Sequence, residues 1–303
     1  MLDVRRLRLL RDLAHLGTIA AVADAHSYTP SAVSQQLAAL QRQAGVRLLE
    51  RTGRRVSLTP TALVLVQHTE SVLSALEAAD ATLAAARAGL YGAVRIGAFP
   101  SAVRTLLPGA LVALGRDHPG LDLMVTEMDP VGMPDALRDR RLDVALLHDY
   151  DLLPAEPDEA LDSTPVLDEK VFLAVADNSS TATAGDPLRG AQNADWIVGS
   201  PGTLCHTLAE RACQVAGFSP RIRHHADDFT AVLALVAAGQ GVALVPELGV
   251  TQPPDEVRLV PLSIRRHTRI AYRRGAGAHP AVAACATAIR ASTDAYSSRL
   301  SPR

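Results

Sequence analysis

One segment of the sequence, Thr61 to Ala88, contains neither glycine nor proline and is rich in alanine and leucine. A helix of about 26 residues would be roughly 39 Å long, which is more than the small segment before it could cover. We therefore expect a long linker helix that needs a packing partner. This linker, residues 62–89, separates an N-terminal domain, residues 1–61, from a C-terminal domain, residues 90–303.

The whole chain has the composition of a globular protein. Its 303 residues exceed the usual size of one domain, and 48% of them are hydrophobic against 20% charged, which excludes a disordered chain. No apolar stretch approaches the roughly 20 residues of a membrane span, and the charged N-terminus lacks the apolar region of a secretion signal. We expect a cytoplasmic protein with no membrane partner.

The net charge of −2 is unevenly distributed along the chain. From Met1 to Thr61 there are nine arginines, no lysine and four acidic residues, giving +5, so the remainder carries −7. A basic N-terminal segment, residues 1–61 and called the head below, on an otherwise acidic chain is expected when only the head contacts nucleic-acid phosphates.

The first sixty residues predict three short helices. Leucines recur with helical spacing up to Gly17, a natural C-cap. Thr18 can cap a second, alanine-rich helix, and Thr29-Pro30 can open a third that runs to about Ala44. Two short helices joined by a three-residue turn are typical of a DNA-reading helix-turn-helix.

The outer face of the third helix carries small polar side chains. Glutamine can pair with adenine, and serine can bond to bases or phosphates in a major groove; a merely solvated face is the alternative. The outward positions are Ser31, Ser34, Gln35, Gln36 and Arg42.

A basic β-hairpin is predicted next, with strands over Val46–Arg51 and Val56–Thr59. Gly53 supplies the backbone freedom of the turn. Arg51, Arg54 and Arg55 flank or occupy this turn, where they can reach the phosphate backbone or the minor groove. The hairpin is therefore interpreted as a wing.

Three segments together resemble the LysR-type transcriptional regulators: Ser31-Ala-Val-Ser-Gln-Gln-Leu37, Ala44-Gly-Val-Arg-Leu-Leu-Glu-Arg-Thr-Gly-Arg-Arg55 and Leu58-Thr-Pro60. The resemblance implies a regulator that binds promoter DNA, without catalysis or cofactor, with RNA polymerase as a further candidate partner. It also implies that Thr29, Pro30, Ser31, Ser34 and Gln35 lie near bases, and that Gln36, Arg51, Arg54 and Arg55 lie near phosphates.

The chain departs from the family pattern at two places. Members commonly show Ser-Gln-Pro where this chain has Thr29-Pro30-Ser31, and often arginine where it has Gln35. The operator sequence can therefore not be transferred from a relative.

Apolar residues of the linker helix alternate at spacings of four and three, which is typical of a coiled-coil seam. The seam positions are Leu65, Thr69, Val72, Leu76, Ala79, Leu83 and Ala86. Packing on the chain's own C-terminal domain is the alternative. The resemblance favours a homodimer through this helix, or a homotetramer that also uses the effector domains, with two heads on an inverted repeat.

After Gly92 short apolar strands alternate with helices, which predicts α/β units with a parallel sheet. The predicted strands are Ala93–Ala98, Leu121–Glu127, Asp143–His148, Lys170–Ala176, Trp196–Ser200, Arg221–Ala226, Val242–Val245 and Arg269–Arg273, and the predicted helices are Val103–Arg116, Met133–Arg140, Leu204–Ala216, Phe229–Ala238 and Pro280–Ala295. The resemblance implies a clamp similar to periplasmic binding proteins, with subdomain I at about 90–162 and 264–303 and subdomain II at about 163–263. The chain would cross between them near Asp149 to Thr164 and Pro261 to Ser263.

Ligands of open parallel sheets bind at the carboxyl ends of the strands, often near helix N-termini. The resemblance makes these loops the effector site, in which hydroxyls could hold a carboxylate or similar anionic small molecule; helix capping is the alternative role for each residue. The candidate effector-binding residues are Pro100, Ser101, His148, Asp149, Ser200, Thr203, Asp227 and Phe229.

Other reactive side chains give no clear site. His224 and His225 point to opposite faces of a strand, so no metal site is expected. Cys205 and Cys213 share a helix face some 12 Å apart and cannot form a disulfide without unwinding. A thiol-based redox-responsive regulator, a ligand-converting enzyme and a ligand-free architectural DNA-binding protein remain as alternatives.

Overall fold

The computed structural model describes residues 2–52, 55–87, 89–177 and 185–300. The chain forms two compact units, and the boundary between them lies between Thr82 and Leu83. Among the described helices, none is both long enough and apolar enough to cross a membrane.

The N-terminal unit is a winged helix-turn-helix followed by a long helix, as predicted. Its elements are α1 (Val4–Leu16), α2 (Ile19–Ala25), α3 (Pro30–Ala44), β1 (Leu49–Thr52), β2 (Arg55–Leu58) and α4 (Pro60–Ala85). The hydroxyls of Thr18 and Thr29 accept hydrogen bonds from the third residue beyond them and so cap α2 and α3. β1 and β2 pair antiparallel to form the wing.

Helix α4 is divided between two environments. Its first half packs on the head, where Ala62, Val66 and Thr69 are buried. Leu65 and Thr69 therefore belong to the head's own packing, which corrects the first part of the predicted seam. The second half exposes apolar side chains: Val72 is 40%, Leu76 42% and Leu83 63% exposed.

The C-terminal unit is a mixed α/β structure. Its strands are β3 (Gly92–Ala98), β4 (Leu121–Glu127), β5 (Val144–Tyr150), β6 (Leu161–Ala176), β7 (Asp195–Val198), β8 (Arg221–His225), β9 (Ala243–Pro246) and β10 (Val257–Arg273). Its helices are α5 (Pro100–Thr105), α6 (Leu107–Asp117), α7 (Met133–Arg138), α8 (Pro187–Gly190), α9 (Leu204–Val215), α10 (Phe229–Ala237) and α11 (Pro280–Leu300).

The main sheet has the order β4-β3-β5-β10-β6-β9 and is not purely parallel. β3 pairs parallel with β4 and β5, and β7 pairs parallel with β8. β10 runs antiparallel to both β5 and β6, and β6 antiparallel to β9. The expectation of a parallel sheet is therefore wrong for the central strands.

The predicted crossings fall partly in two long strands: β6 contains the end of the first crossing, from Leu161 to Thr164, and β10 contains the second. β6 begins at Leu161 instead of Lys170, and β10 begins at Val257 instead of Arg269. The sequence pattern concealed both extensions because each contains a proline, which normally interrupts a strand. Pro165 and Pro261 both lie at register shifts of the β6–β10 pair, where a missing N–H is tolerated.

A proline also explains why one predicted helix is two helices in the structure. The segment Val103–Arg116 is divided between α5 and α6, with the break at Leu106. Pro108 has no N–H to donate to the preceding turn, so it is accommodated near the start of a new helix.

Two halves are recognisable in the C-terminal unit by their cores. In the first half, Ile96 of β3 and Leu146 of β5 share a core with Ile289 of α11, so the last helix returns to the strands that begin the unit. The second half contains β7, β8, β9, α9 and α10, with cores around Trp196 and around Val232. β6 and β10 contribute residues to both halves.

The β6–β10 register places an arginine opposite a glutamate inside the protein. Arg266 lies opposite Glu169, and its Nε donates to Glu169 Oε1 at 2.6 Å. The side chains are 1% and 2% exposed. The other oxygen of Glu169 accepts a hydrogen bond of 2.6 Å from the backbone N–H of Leu248, so the buried pair is hydrogen-bonded at both carboxylate oxygens.

The next register position forms an exposed ion cluster. His267 lies opposite Asp168. Its Nδ1 is 2.8 Å from Asp168 Oδ1 and its Nε2 is 2.7 Å from Asp151 Oδ1. These hydrogen bonds, from Asp168 and then Asp151, raise the pKa of His267 because they favour the imidazolium.

We expect Glu169→Gln to destabilise the protein strongly, because the buried guanidinium of Arg266 would lose its counter-charge. Breaking such a pair typically costs about 3–5 kcal/mol, measurable by scanning calorimetry of the full chain. Arg116→Gln, which breaks the exposed Arg116–Asp117 pair, is the control and should leave the transition unchanged. An equally small effect of both substitutions would contradict the assigned role of the buried pair.

We expect His267→Asn to lower stability more at low pH than at high pH. The raised pKa means that the ion cluster stabilises the fold fully below the pKa of an unfolded histidine and loses this effect as the pH rises through the folded pKa. Thermal unfolding of wild type and variant should therefore differ more at about pH 6 than at about pH 9. A difference that is constant with pH, or that matches the control His118→Asn, would show that the imidazolium contributes nothing.

Candidate functional site

The outer face of α3 is available for contact with another molecule. Thr29, Pro30, Ser31, Gln35 and Gln36 are exposed, and Ser34 is half-buried. The inward residues of the same helix lie in the core of the head. The structure thus brings the predicted α3 residues together on one helix face.

The start of α1 lies beside this face, which the sequence pattern did not reveal. Arg6 Nε donates to Gln36 Oε1 at 2.9 Å. A groove with a cavity volume of about 570 Å³ runs alongside, and its lining includes Arg5, Arg6, Arg8, Tyr28 and Gln36. The sequence indicates only that α1 is basic; its proximity to α3 depends on tertiary packing.

The wing arginines are only partly covered by the structure. Arg51 belongs to β1 and Arg55 to β2, next to the turn of the hairpin. Arg54 lies outside the described residues, and the side chains of Arg51 and Arg55 are not described. Their contact with phosphate stays a prediction.

A buried ionic cluster connects the head to α4. Arg11 Nε is 2.5 Å from Asp12 Oδ1, and Arg11 also approaches Glu70 of α4, at 3.6 Å. The other oxygen of Asp12 is 2.6 Å from His26 Nε2, in the turn between α2 and α3. The cluster therefore links three elements of the head: α1, this turn and α4.

The C-terminal unit contains a cavity of about 230 Å³ that is lined by both of its halves. The first half contributes the start of α5, the loop after β4 and the end of β5. The second half contributes the loops after β7 and β8, the start of α9, and residues of α10 and β9. Six of the eight predicted effector residues line this cavity: Pro100, Ser101, His148, Thr203, Asp227 and Phe229.

Two predicted residues do not line the cavity. β5 continues to Tyr150, so Asp149 points to the opposite face from His148 and forms an ion pair with Arg269. Ser200 is bound to Asp227: its N–H and its hydroxyl donate to the two carboxylate oxygens at 2.7 and 2.6 Å. Ser200 therefore positions a lining residue.

Part of the cavity wall is polar and buried. Arg266 NH2 donates to Ser101 Oγ at 3.2 Å, and the guanidinium lies 4.7 Å from the centre of the Phe99 ring. His148 packs edge-on against Phe99 and Tyr150. Burial, together with Arg266 and Arg269, holds the pKa of His148 well below its usual range. Its imidazole is therefore neutral, and its Nδ1 has no hydrogen-bond partner within the described residues.

Another part of the wall carries carboxylates, namely Glu127, Asp129 and Asp227. Asp129 accepts hydrogen bonds from the N–H groups of Val131 and Leu204, at 3.0 and 3.4 Å. Because Asp129 follows β4 and Leu204 begins α9, the second bond joins the two halves across the cavity. Burial raises the pKa of Asp129.

Glycine is required where the loop after β7 approaches this wall. A Cβ atom on Gly199 would lie 2.6 Å from Thr203 Oγ1 and 3.3 Å from Asp227 Oδ1. Any other residue at this position would push the hydroxyl or the carboxylate out of place.

The two cysteines of α9 lie in different environments. Cys205 lines the cavity, and its Sγ is 3.7 Å from the Tyr150 hydroxyl. Burial raises the pKa of Cys205, and it raises the pKa of the buried Cys213 to about 12. Both therefore stay protonated thiols, and neither forms a disulfide.

Sequence reasoning missed Arg266 and Asp129. Arg266 falls in a part of β10 that did not have an apolar strand pattern. Asp129 follows β4 directly and could have been found by the rule on the carboxyl ends of strands. Within the described ranges, no three histidine, cysteine or acidic side chains cluster as metal ligands.

Two family models together match almost the whole chain. The bacterial regulatory helix-turn-helix of the lysR family matches residues 4–63, and the LysR substrate binding domain matches residues 87–294. A probable hydrogen peroxide-inducible genes activator of Mycobacterium avium is 31% identical over 262 residues, which cover 84% of this chain and 80% of the relative.

Solved structures of full-length regulators share the fold. A full-length OxyR variant from Pseudomonas aeruginosa has a TM-score of 0.60 at 21% identity, covering 96% of this chain and 95% of that one. Full-length BenM has a TM-score of 0.57 at 23% identity, covering 99% of each chain.

The matches cover both units in the order in which the structure presents them, with the reading helix and wing in the first and the ligand cavity in the second. This chain is a bacterial LysR-type transcriptional regulator, which binds DNA through its winged helix-turn-helix and a small-molecule effector through its C-terminal α/β domain.

Proposed function

We propose that an effector in the 230 Å³ cavity changes how a homodimer of this regulator occupies an inverted-repeat promoter site. The observation that carries the proposal is the lining of the cavity by both halves of the C-terminal unit. A ligand held between two halves binds best when they are closed around it, so it shifts the equilibrium towards the closed form.

Two contacts across the cavity support such a closure. Asp129 of the first half accepts from the N–H of Leu204 of the second. Arg104 of α5 donates to Asp228 and Thr230 of α10, at 3.2 and 2.6 Å. These bonds form only when the halves are close, so the closed form is the one that ligand would stabilise.

The exposed half of α4 supports dimerisation. Val72, Leu76 and Leu83 follow a spacing of four and seven residues on the exposed surface of the helix, which also carries exposed alanines; this surface suits a second copy of the helix. A tetramer would use the effector domains as well, where the edge strand β4 exposes Met124 and Val125, and α6 exposes Val112.

In the proposed complex α3 lies in the major groove. Thr29, Pro30, Ser31, Ser34 and Gln35 contact bases, and the wing arginines contact phosphates. Gln36 is held by Arg6, so we add Arg6 to the phosphate contacts. A regulator of promoter DNA works in the bacterial cytoplasm, where RNA polymerase is a further partner.

Peroxide sensing is the second candidate, because the Mycobacterium avium relative is named for hydrogen peroxide induction. The nucleophile towards peroxide is a thiolate, whereas burial keeps Cys205 and Cys213 protonated. The two thiols also lie apart, since Cys205 lines the cavity and Cys213 belongs to the core around Trp196. Metabolite binding is therefore the function that the cavity favours, and we propose binding without turnover.

Substitutions in the head should separate base contacts from phosphate contacts. Arg54→Ala with Arg55→Ala should weaken binding to all DNA sequences, and the slope of log affinity against log salt should fall by about 0.9 per lost contact. Ser34→Ala with Gln35→Ala should instead change which operator is preferred. Promoter fragments are first selected as those that the protein retains from its host's genomic DNA. The affinity of each variant for these fragments is then measured by fluorescence anisotropy at several salt concentrations.

The control for the head variants is Arg116→Gln, an exposed substitution in the C-terminal unit. If the wing double variant kept both affinity and salt slope, the wing would not contact DNA. If the wild type retained no discrete set of genomic fragments, the head would not bind DNA sequence-specifically.

We expect hydrogen peroxide to leave DNA binding unchanged in the wild type and equally in the Cys205→Ser variant. The physical reason is that the protonated, buried thiol reacts slowly. Promoter binding is measured before and after peroxide treatment, with Cys213→Ser as the matched variant. If peroxide changed DNA binding of the wild type but not of Cys205→Ser, the proposal of metabolite binding would be wrong and redox sensing would take its place.

A further inference from the structure

We infer that the effector carries a protonated amine, and that this group binds between Asp129 and Asp227. The inference rests on the proposed function of the cavity as the effector site. It concerns the charge of the ligand, which the fold of the family does not determine.

The charged groups of the cavity wall are unbalanced. Among the described residues that line it, three are carboxylates, Glu127, Asp129 and Asp227, and one is a cation, Arg266. The charge of that cation is already balanced by Glu169, at 2.6 Å. The wall therefore carries excess negative charge, which favours a cationic group on the ligand.

Within the described part of the chain, the two aspartates accept hydrogen bonds from neutral donors. Asp129 accepts from the N–H groups of Val131 and Leu204. Asp227 accepts from the N–H and the hydroxyl of Ser200. Each carboxylate keeps acceptor capacity for a further donor, since two oxygens offer about four lone-pair sites.

A second observation points to a ligand independently of the carboxylates. His148 lines the cavity and is only 4% exposed, and its Nδ1 has no hydrogen-bond partner within the described part of the chain. A buried polar atom without a partner is costly. A small turn of the ring towards the cavity would let a polar group of the ligand supply the missing hydrogen bond.

The remaining wall defines the rest of the molecule. Ser101 and Arg266 form a buried polar corner that suits an oxygen atom, such as a hydroxyl, an amide carbonyl or a carboxylate. Between the polar groups the wall is apolar, with Phe99, Met128, Ile197, Phe229, Val232 and Leu244. A small zwitterion or amine with an apolar body satisfies both ends, whereas a purely anionic ligand would satisfy only the corner at Ser101.

The position of the amine also explains how such a ligand closes the clamp. Asp129 belongs to the first half and Asp227 to the second, and their charges repel each other across the cavity. A cation between them replaces this repulsion by two attractions. The amine thereby adds to the bonds between the halves and stabilises the closed form further.

The experiment compares two sets of small molecules; the members of each set share a similar apolar body and differ in the charged or polar groups that they carry. The probes are isoamylamine, leucine, isoamyl alcohol and isovalerate, and the aromatic set phenethylamine, phenylalanine, phenethyl alcohol and 3-phenylpropionate. Binding to the full chain is measured by thermal shift and then by calorimetric titration. We expect the amines or amino acids to bind better than the neutral and anionic members of each set.

Substitutions test whether the two aspartates bind the amine. Asp129→Asn and Asp227→Asn should each weaken binding of the amine about tenfold or more, because each removes a charge-assisted hydrogen bond. Asp122→Asn, at an exposed carboxylate of β4 outside the cavity lining, is the matched control and should bind like wild type. Two variants are used because each also alters a different internal bond, Asp129→Asn the bond to Leu204 and Asp227→Asn the bonds to Ser200.

The possible results distinguish this inference from the proposed function. If carboxylates or alcohols bind best, or if the amine binds equally well to both aspartate variants, the inference is overturned while the cavity remains an effector site. If no member of either set binds, the inference is overturned and the effector role of the cavity fails with it.

Discussion

The buried ion pair between Arg266 and Glu169 is the interaction on which the C-terminal unit depends. It joins β10 to β6, the two long strands that contribute to both halves. Glu169 also accepts from the N–H of Leu248, and Arg266 reaches Ser101 and the ring of Phe99. One pair therefore fixes the central strands and the buried wall of the cavity at the same time. A buried pair is weak evidence for added stability, so its value here lies in positioning.

The same pair limits the chemistry of the cavity. An arginine in a binding site usually suggests an anionic ligand, because its fork of donors matches a carboxylate. Here the guanidinium is neutralised from behind by Glu169, so its remaining donors offer hydrogen bonds without much net charge. The unbalanced charges are those of Asp129, Asp227 and Glu127. The charges of the whole wall thus support the proposed cationic group, whereas the arginine alone would favour an anion.

Local sequence signals predicted the elements that are stabilised locally. Thr18 and Thr29 cap their helices as expected, and β4 has the predicted bounds, Leu121–Glu127. The prediction failed where long-range pairing overrides local preference. β6 and β10 extend through Pro165 and Pro261 because each is paired with the other. For the same reason Arg266 could not be found, since its role depends on Glu169, which lies 97 residues away along the chain. The register of β5 likewise decided that His148, and not Asp149, lines the cavity.

The likeness to peroxide-responsive proteins shows how a shared fold can serve different signals. The family likeness fixes the sheet, the clamp and the place of the cavity, while the signal is read by a few side chains in that cavity. A peroxide sensor needs an ionised thiol near positive charge. In this chain burial raises the pKa of Cys205, the Tyr150 hydroxyl and Arg266 lower it, and the carboxylates of Asp129 and Asp227 raise it; the net direction is upward. The carboxylates that we propose as the amine site thus act with burial against formation of a Cys205 thiolate.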